Sequence, residues 1–225
     1  MGIAQAQKRQ FLCSRKRTMF FIGMRILKDD IYKSILRSAR KEFISKGFKE
    51  ASMRSIAKDA GVGLSNIYNY FKSKDEIFLA IVNPAKNDIF NFITQKHNEE
   101  SFQFYNMSQY GHSEDDIEHY IGLIEKYKEE YRLLLYHSQG SSLCNFRDEL
   151  TNHMTHVSYD YMGLEKKYNP HAREVSSFFI HAMASWMVSI LGEIVTHELD
   201  RQKIKEFFDE YFRFGFAGWR ELIGT

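Results

Sequence analysis

The sequence predicts an all-α protein. Apolar residues recur every three or four positions through most of its 225 residues, which is the period of an amphipathic helix. Only two prolines interrupt the chain, and 27% of its residues are charged, a composition typical of a helical globular protein. The length suits one or two domains, and no internal repeat indicates a solenoid.

The first 28 residues carry seven Lys and Arg and no Asp or Glu. Their apolar stretch, residues 19–24, is shorter than the core of a signal peptide, and no small-residue cleavage site follows it. We therefore expect residues 1–28 to be a basic leader, disordered or a non-native extension, with Met24 as a natural start. An arm that touches DNA is the alternative.

Three helices are predicted between residues 29 and 74. The first spans 29–46 and stops at Gly47, and the second spans 53–60 after an N-cap at Ser52. Gly61 and Gly63 supply the turn that leads into the third helix, 64–71. Two short helices joined by a glycine-containing turn form a helix-turn-helix, whose second helix enters the DNA major groove.

The outward side of the third helix carries hydroxyls and amides, which hydrogen-bond base edges and phosphates. We expect Asn66 and Asn69 to read bases, and Tyr68 and Lys74 to contact phosphates. An ordinary hairpin with a solvated face is the alternative. The candidate DNA-binding residues are Ser52, Arg54, Leu64, Ser65, Asn66, Tyr68, Asn69, Tyr70 and Lys74.

This stretch resembles the DNA-binding domain of the TetR family of bacterial repressors, which typically reads T-x-x-x-I-A-x-x-A-G-V-S-x-G-T-L-Y-x-x-F-x-x-K. Gly63, Ser65 and Asn66 depart from that pattern where bases are read, which leaves the operator sequence open. The resemblance covers residues 29–83 and implies a ligand-responsive repressor without a cofactor. The matching residues are Ile56, Ala57, Ala60, Gly61, Val62, Tyr68, Phe71 and Lys74.

Residues 75–225 are expected to form a helical ligand-binding and dimerisation domain. Ser73 caps a connecting helix that Pro84 kinks or ends, and residues 97–113 lose the helical period and read as a loop. Asp200 precedes the last helix. The remaining helices are predicted at 114–137, 143–167, 171–197 and 201–223.

Charge separates the two parts of the chain. Residues 1–83 hold 17 Lys and Arg against 7 Asp and Glu, whereas residues 84–225 hold 14 against 22. The sign favours a nucleic-acid partner for the N-terminal part and not for the rest. We expect that partner to be a palindromic double-stranded operator.

The last two helices are apolar around most of their circumference, which predicts a homodimer interface. A single large monomer core is the alternative. The candidate interface residues are Ala182, Trp186, Ser189, Ile190, Phe212 and Trp219.

The family resemblance implies a pocket between the long helices for a small-molecule inducer. No Arg or Lys cluster accompanies these residues, so we expect a largely apolar or aromatic ligand. His137 or His153 could orient a polar group, and a plain core is the alternative. The candidate pocket residues are Tyr127, Tyr131, His137, Phe146, Met154, Tyr161, Phe178 and Met183.

Other classes of function lack a motif. We find no metal-binding pattern, no phosphate loop and no nucleophile elbow, so neither a metal, a catalytic residue nor an enzyme is expected. No apolar run approaches the ~20 residues that span a bilayer, and two cysteines suit a reducing cytoplasm. The remaining alternatives are a DNA-binding architectural protein without ligand control and a helical small-molecule-binding or catalytic protein.

Overall fold

The computed structural model describes residues 28–96, 99–100, 102–103 and 114–224. Within these residues all regular structure is helical, and the all-α prediction is confirmed. The basic leader lies outside the described residues except for Lys28, which begins the first helix. The helices are α1 (28–50), α2 (Met53–Asp59), α3 (Leu64–Ile67), α4 (Lys74–Lys96), α5 (Glu114–Tyr136), α6 (Phe146–Tyr168), α7 (Ser177–Thr196) and α8 (Arg201–Ile223).

Helices α1 to α3 and the start of α4 close around a small aromatic core, which we call the head. Phe78 of α4 lies 5.3 Å from the ring of Phe43 and 5.1 Å from the ring of Phe48. Ile56 and Ile67 bring α2 and α3 onto the same core. Because α4 also continues into the rest of the chain, the domain boundary at residue 74 stays a prediction.

The predicted helix caps of the head are confirmed. The Ser52 hydroxyl accepts from the backbone N–H of Ser55 at 3.4 Å, and the Ser73 hydroxyl accepts from that of Glu76 at 3.1 Å. Gly47 takes a left-handed φ of 72°, although α1 extends to residue 50. Helix α3 is shorter than predicted. It ends at Ile67, and residues 68–70 form turns.

The remainder of the chain, which we call the body, packs α4, α5, α6, α7 and α8 against one another. Helix α4 runs through Pro84, so the predicted option of a helix end there is wrong. Helix α7 begins at Ser177 and not at residue 171, because the chain turns after Pro170 and Ser176 provides the N-cap. Asp200 caps α8 as its position suggested.

Two further features of the body depart from the prediction. Residues 99–100 and 102–103 are helical, not loop, and Phe102 is buried against Tyr161 and Tyr168. The other residues of the predicted loop lie outside the described part. Helix α5 is kinked at Tyr127, which has non-helical torsions of φ −125° and ψ 22°.

One described helix, α7, is long and apolar enough by length and composition to cross a membrane. A stretch of 18 of its 20 residues reaches a mean hydropathy of 1.6, so the expectation that no apolar run approaches that length is wrong. Ile180, Val188 and Leu191 bury one side of α7 in the core of the body.

Candidate nucleic-acid interface and internal cavity

The turn between α2 and α3 is held by its own backbone. Gly61 takes a φ of 69°, its N–H donates to the Lys58 carbonyl at 3.2 Å, and the N–H of Val62 donates to the Ala57 carbonyl at 3.0 Å. A side chain at position 61 would be strained by that torsion angle. The turn thus fixes the direction in which α3 leaves α2.

Glu42 anchors the start of α2 to α1, a role that the sequence alone did not indicate. Its carboxylate accepts from the Ser52 N–H at 3.1 Å and the Ser55 hydroxyl at 2.9 Å, and it pairs with Lys46 at 2.8 Å. Burial by itself raises the pKa of Glu42, but these hydrogen bonds outweigh burial and leave the pKa below its ordinary value. The helix-turn-helix is therefore tied to α1 by a charged group.

The surface of α3 presents polar side chains to solvent, as predicted. Ser65 and Asn69 are exposed, Tyr68 is 51% exposed, and the Asn69 amide donates to the Asn66 side-chain oxygen at 3.2 Å. Arg54 on α2 is exposed as well. These side chains need no rearrangement of the fold to meet a nucleic acid.

Three other predicted DNA-binding residues have structural contacts. Ser52 serves as the N-cap of α2, and Leu64 and Tyr70 are half-buried against the core of the head. They position the exposed face and contribute little free surface to it.

Lys74 is engaged in the head itself. Its ammonium donates to the backbone carbonyls of Phe48 at 2.6 Å, Lys49 at 3.2 Å and Ala51 at 3.0 Å. An ammonium has three donors, so these contacts use its full capacity. This geometry favours a structural role for Lys74 at the end of α1 over the predicted phosphate contact.

The body contains a cavity of about 270 Å³, partly open at the surface, between α4, α5, α6, α7 and α8. Its wall is mostly aliphatic and aromatic, and its two charged residues among those described, Lys96 and Asp116, form an ion pair with each other. The lining residues are Ile89, Phe92, Ile93, Lys96, Asp116, Tyr120, Leu150, Met154, Tyr161, Met187, Val188, Ile190, Leu191, Phe208, Tyr211 and Phe212.

Of the predicted pocket residues, Met154 and Tyr161 line this cavity and the others do not. Tyr127 donates to Asp88 at 2.8 Å instead, and Tyr131 is fully buried in the core. The carbonyl of His137 accepts from the Phe48 N–H at 2.8 Å, which places His137 at the contact between body and head.

The remaining pocket candidates lie elsewhere for different reasons. Phe146 is buried in the core near Phe90, and Phe178 is 78% exposed on α7. Met183 is half-buried without lining the cavity, and His153 stacks on Phe90 with its ring nitrogen 3.0 Å from the Thr94 hydroxyl. Helical periodicity identified apolar faces but not which of them turn toward the cavity.

Three tyrosines, Tyr120, Tyr161 and Tyr211, lie on the cavity wall. Burial raises the pKa of Tyr120 and of Tyr161, and it raises the pKa of Tyr211 to about 12. All three are therefore phenols, able to donate a hydrogen bond, at neutral pH. The cavity combines apolar surface with donors and a neutralised ion pair.

The outer face of α7 and α8 carries aromatic side chains, which we call the aromatic face. Phe178 is 78%, Phe214 68% and Trp186 40% exposed, and Trp186 packs edge-on against Phe214 with ring centroids 6.2 Å apart. Trp219 is half-buried beside Phe179.

The other predicted interface residues divide between two places. Ala182 and Ser189 are half-buried, and the Ser189 hydroxyl accepts from Arg147 at 2.8 Å. Ile190 and Phe212, by contrast, line the cavity.

Head and body meet along α5. Arg40 of α1 makes a two-pronged ion pair with Glu130, at 2.5 and 3.3 Å, and the Glu130 carboxylate is buried. Hydrogen bonding to Glu130 raises the pKa of Arg40. Asp75 also accepts from the backbone N–H of Ser142 at 2.8 Å. Because Asp116 and Tyr120 lie on the same helix, α5 touches both the cavity and the head.

No group of three or more metal-ligating side chains occurs in the described ranges. The ring nitrogen of one of the histidines found there, His181, lies 3.3 Å from the Thr155 hydroxyl.

Residues 35–81 match the family model described as bacterial regulatory proteins, tetR family. The chain is similar to the uncharacterized HTH-type transcriptional regulator YhgD of Bacillus subtilis, with 45% identity over 49 residues, or 22% of this chain and 26% of that protein. It is also 35% identical over 57 residues to the HTH-type transcriptional regulator SAB2452 of Staphylococcus aureus, covering 25% of this chain and 29% of that protein. The chain thus spans less than a third of the length of these curated relatives.

Solved structures show the same fold over most of the chain. NalD, the secondary repressor of the MexAB-OprM multidrug efflux pump in Pseudomonas aeruginosa, aligns with a TM-score of 0.57 and 14% identity over 82% of this chain and 94% of its own. FadR of Bacillus subtilis, in complex with stearoyl-CoA, aligns with a TM-score of 0.53 and 14% identity over 80% and 97%. The helix-turn-helix of this chain therefore matches the tetR family of bacterial regulatory proteins, and the helices beyond it share the fold of these solved structures.

Proposed function

We propose that the protein is a repressor that binds a palindromic operator as a homodimer and is released by a small-molecule inducer. The observation that carries this proposal is the polar surface of the helix-turn-helix. Ser65 and the half-buried Asn66 of α3 are followed there by the exposed Tyr68 and Asn69, and Gly61 fixes the turn that leads into α3. Amides on such a helix match the donor and acceptor pattern of base edges in the major groove.

The aromatic face supports the homodimer. Aromatic side chains as exposed as Phe178 and Phe214 mark an interaction surface. A two-fold dimer places the same patch of both copies against each other, so each aromatic face would cover the other. A dimer presents two α3 helices to half-sites about one helical turn apart, or a multiple of that distance. Light scattering of Phe214→Glu tests this face, with Tyr159→Glu on α6 as the control, and an unchanged dimer mass in both would contradict it.

The cavity and α5 support control by a ligand. A ligand shifts a conformational equilibrium only by its difference in affinity for the two states. Helix α5 contributes Asp116 and Tyr120 to the cavity wall and Glu130 to the contact with Arg40, so a change at the wall reaches the head through one helix. The body's acidic balance and its cavity both favour this function over an architectural protein, and we place the protein in the cytoplasm.

The assignment of base-reading residues is tested by electrophoretic mobility. The chain is titrated onto DNA from upstream of its own gene and onto an unrelated duplex of equal length. We expect Asn66→Ala and Asn69→Ala to weaken operator binding by about 1–3 kcal/mol and to leave binding of the unrelated duplex nearly unchanged.

Asn91→Ala is the matched control, since Asn91 is an exposed asparagine on α4 away from α3. Equal losses on both duplexes would refute the base-reading assignment. No preference of the unaltered chain for either duplex would refute the proposed operator.

A further inference from the structure

The cavity of the body has a charge balance that restricts its ligand. Lys96 and Asp116 both lie in the cavity wall and form an ion pair. The other described lining residues carry no formal charge at neutral pH. A charge transferred into an apolar site is costly unless an opposite charge meets it. Because each of these two groups already has its counterion, a charged ligand of either sign lacks one.

The polar groups left for a ligand are hydroxyl donors. Tyr120 of α5 and Tyr211 of α8 lie on the lining. The ring of Tyr120 packs edge-on against Phe208 at 4.9 Å, and that of Tyr211 packs edge-on against Phe212 at 5.5 Å. Their hydroxyls stay protonated, since burial raises their pKa. A ligand carbonyl or ether oxygen could accept from them, and the surrounding rings favour aromatic surface next to that oxygen.

We infer that the cavity takes an uncharged aromatic molecule bearing a hydrogen-bond acceptor. The hydroxyls of Tyr120 and Tyr211 donate to that acceptor, and the Lys96–Asp116 pair offers no counterion to a charged ligand. The class of ligand follows from the wall of this cavity, and its role as an inducer rests on the proposed function.

Four probes with one common ring system test the class. They are 2-acetonaphthone, an uncharged ketone; 2-ethylnaphthalene, which has no acceptor; 2-naphthoate, an anion; and 2-naphthylmethylammonium, a cation. Binding to the full chain is measured by calorimetry and by thermal shift. We expect the ketone to bind about five- to tenfold more tightly than the hydrocarbon, as one hydrogen bond contributes, and both ions to bind more weakly than the hydrocarbon.

Conservative variants assign the contacts. Tyr120→Phe and Tyr211→Phe should reduce the affinity for the ketone toward that for the hydrocarbon, without changing the affinity for the hydrocarbon. Tyr131→Phe is the matched control, because Tyr131 is a fully buried tyrosine of α5 outside the lining. A loss of ketone affinity in Tyr131→Phe equal to the other two would overturn the assignment.

A third variant tests the role of the ion pair. Asp116→Asn removes the carboxylate that neutralises Lys96, so this variant should gain affinity for 2-naphthoate by at least tenfold, while its affinity for the ketone changes little. An unaltered chain that binds either ion as tightly as the ketone, or that binds none of the four probes, overturns the inference.

Operator release is measured separately from binding. If the ketone binds and the tyrosine variants weaken it, the ligand class stands even where the DNA stays bound, and that result counts against the proposed control by ligand. If DNA is released by an ion and not by the ketone, the ligand class falls and control by a ligand stands.

Discussion

The head and the body of this protein are built in opposite ways. In the head, the rings of Phe43, Phe48 and Phe78 fill a small core, and a charged group, Glu42, fastens the helix-turn-helix to α1. The body contains a cavity, a kinked helix and aromatic side chains on its surface. The head therefore has one arrangement that presents α3, whereas the body leaves space and surface for partners.

This difference indicates a division of function. A closely packed unit holds its recognition helix ready before DNA arrives, which lowers the cost of ordering on binding. A unit with a cavity gains packing when a ligand fills it, and a conformation that packs better around the ligand becomes more populated. The first of the three predictions that follow compares the two regions, and the other two test the contacts that hold the head together.

The largest effect is expected from emptying the core of the head. Phe78→Ala removes a fully buried ring that touches two others and should lower the free energy of unfolding by about 3–5 kcal/mol. Phe212→Ala in the wall of the cavity is the matched change in the body, and it should cost less than half as much, since Phe212 already borders empty space. Urea denaturation followed by circular dichroism measures both. Equal losses would remove the contrast in packing.

A smaller effect is expected from Lys74. Lys74→Met keeps the length of the side chain but removes the donors to Phe48, Lys49 and Ala51, so the head should lose about 1–3 kcal/mol of stability. The salt dependence of DNA binding should stay the same, because the three carbonyls already use the donors of the ammonium. A salt slope lower by about one would instead favour a phosphate contact. Lys72→Met, at an exposed lysine two residues earlier, is the control.

The smallest effect is expected from the charge of Glu42. Its folded pKa lies below the ordinary value, so its contribution to stability is complete above the ordinary glutamate range of about 4.3 and is lost as pH falls through the folded pKa. Glu42→Gln should therefore lower stability by about 1 kcal/mol at pH 7 and make little difference in strong acid. Glu50→Gln, at an exposed position of the same helix, should have no such pH dependence. A constant difference across pH would contradict a role for the charge.

The sequence predicted local features better than distant contacts. Ser52, Ser73 and Gly61 act on backbone groups within three or four residues, and their side-chain or backbone chemistry reveals that action directly. The positions of Phe178 and Phe212 could not be obtained in this way. Periodicity shows that a helix has an apolar side, but only the packing of other helices decides whether that side meets a core, a cavity or solvent.

The same limit explains two residues whose partners were not predicted. Lys74 carries the charge that a phosphate requires, yet its ammonium donates to three backbone carbonyls at the end of α1 and just after it. Glu42 is separated from its partner Ser52 by ten residues, and no local pattern connects them. Neither the kink at Tyr127 nor the contact between Arg40 and Glu130 has a local signature in the sequence.

The central claim is that an occupied cavity in the body changes DNA binding by the head through α5. Its most direct test is the dissociation constant for operator DNA, measured by fluorescence anisotropy with and without saturating 2-acetonaphthone. For the unaltered chain we predict at least a tenfold rise, about 1.4 kcal/mol of coupling, and for Arg40→Met, which breaks the contact with Glu130, a much smaller rise. An operator affinity of the unaltered chain that is the same with and without the bound ketone would contradict the claim.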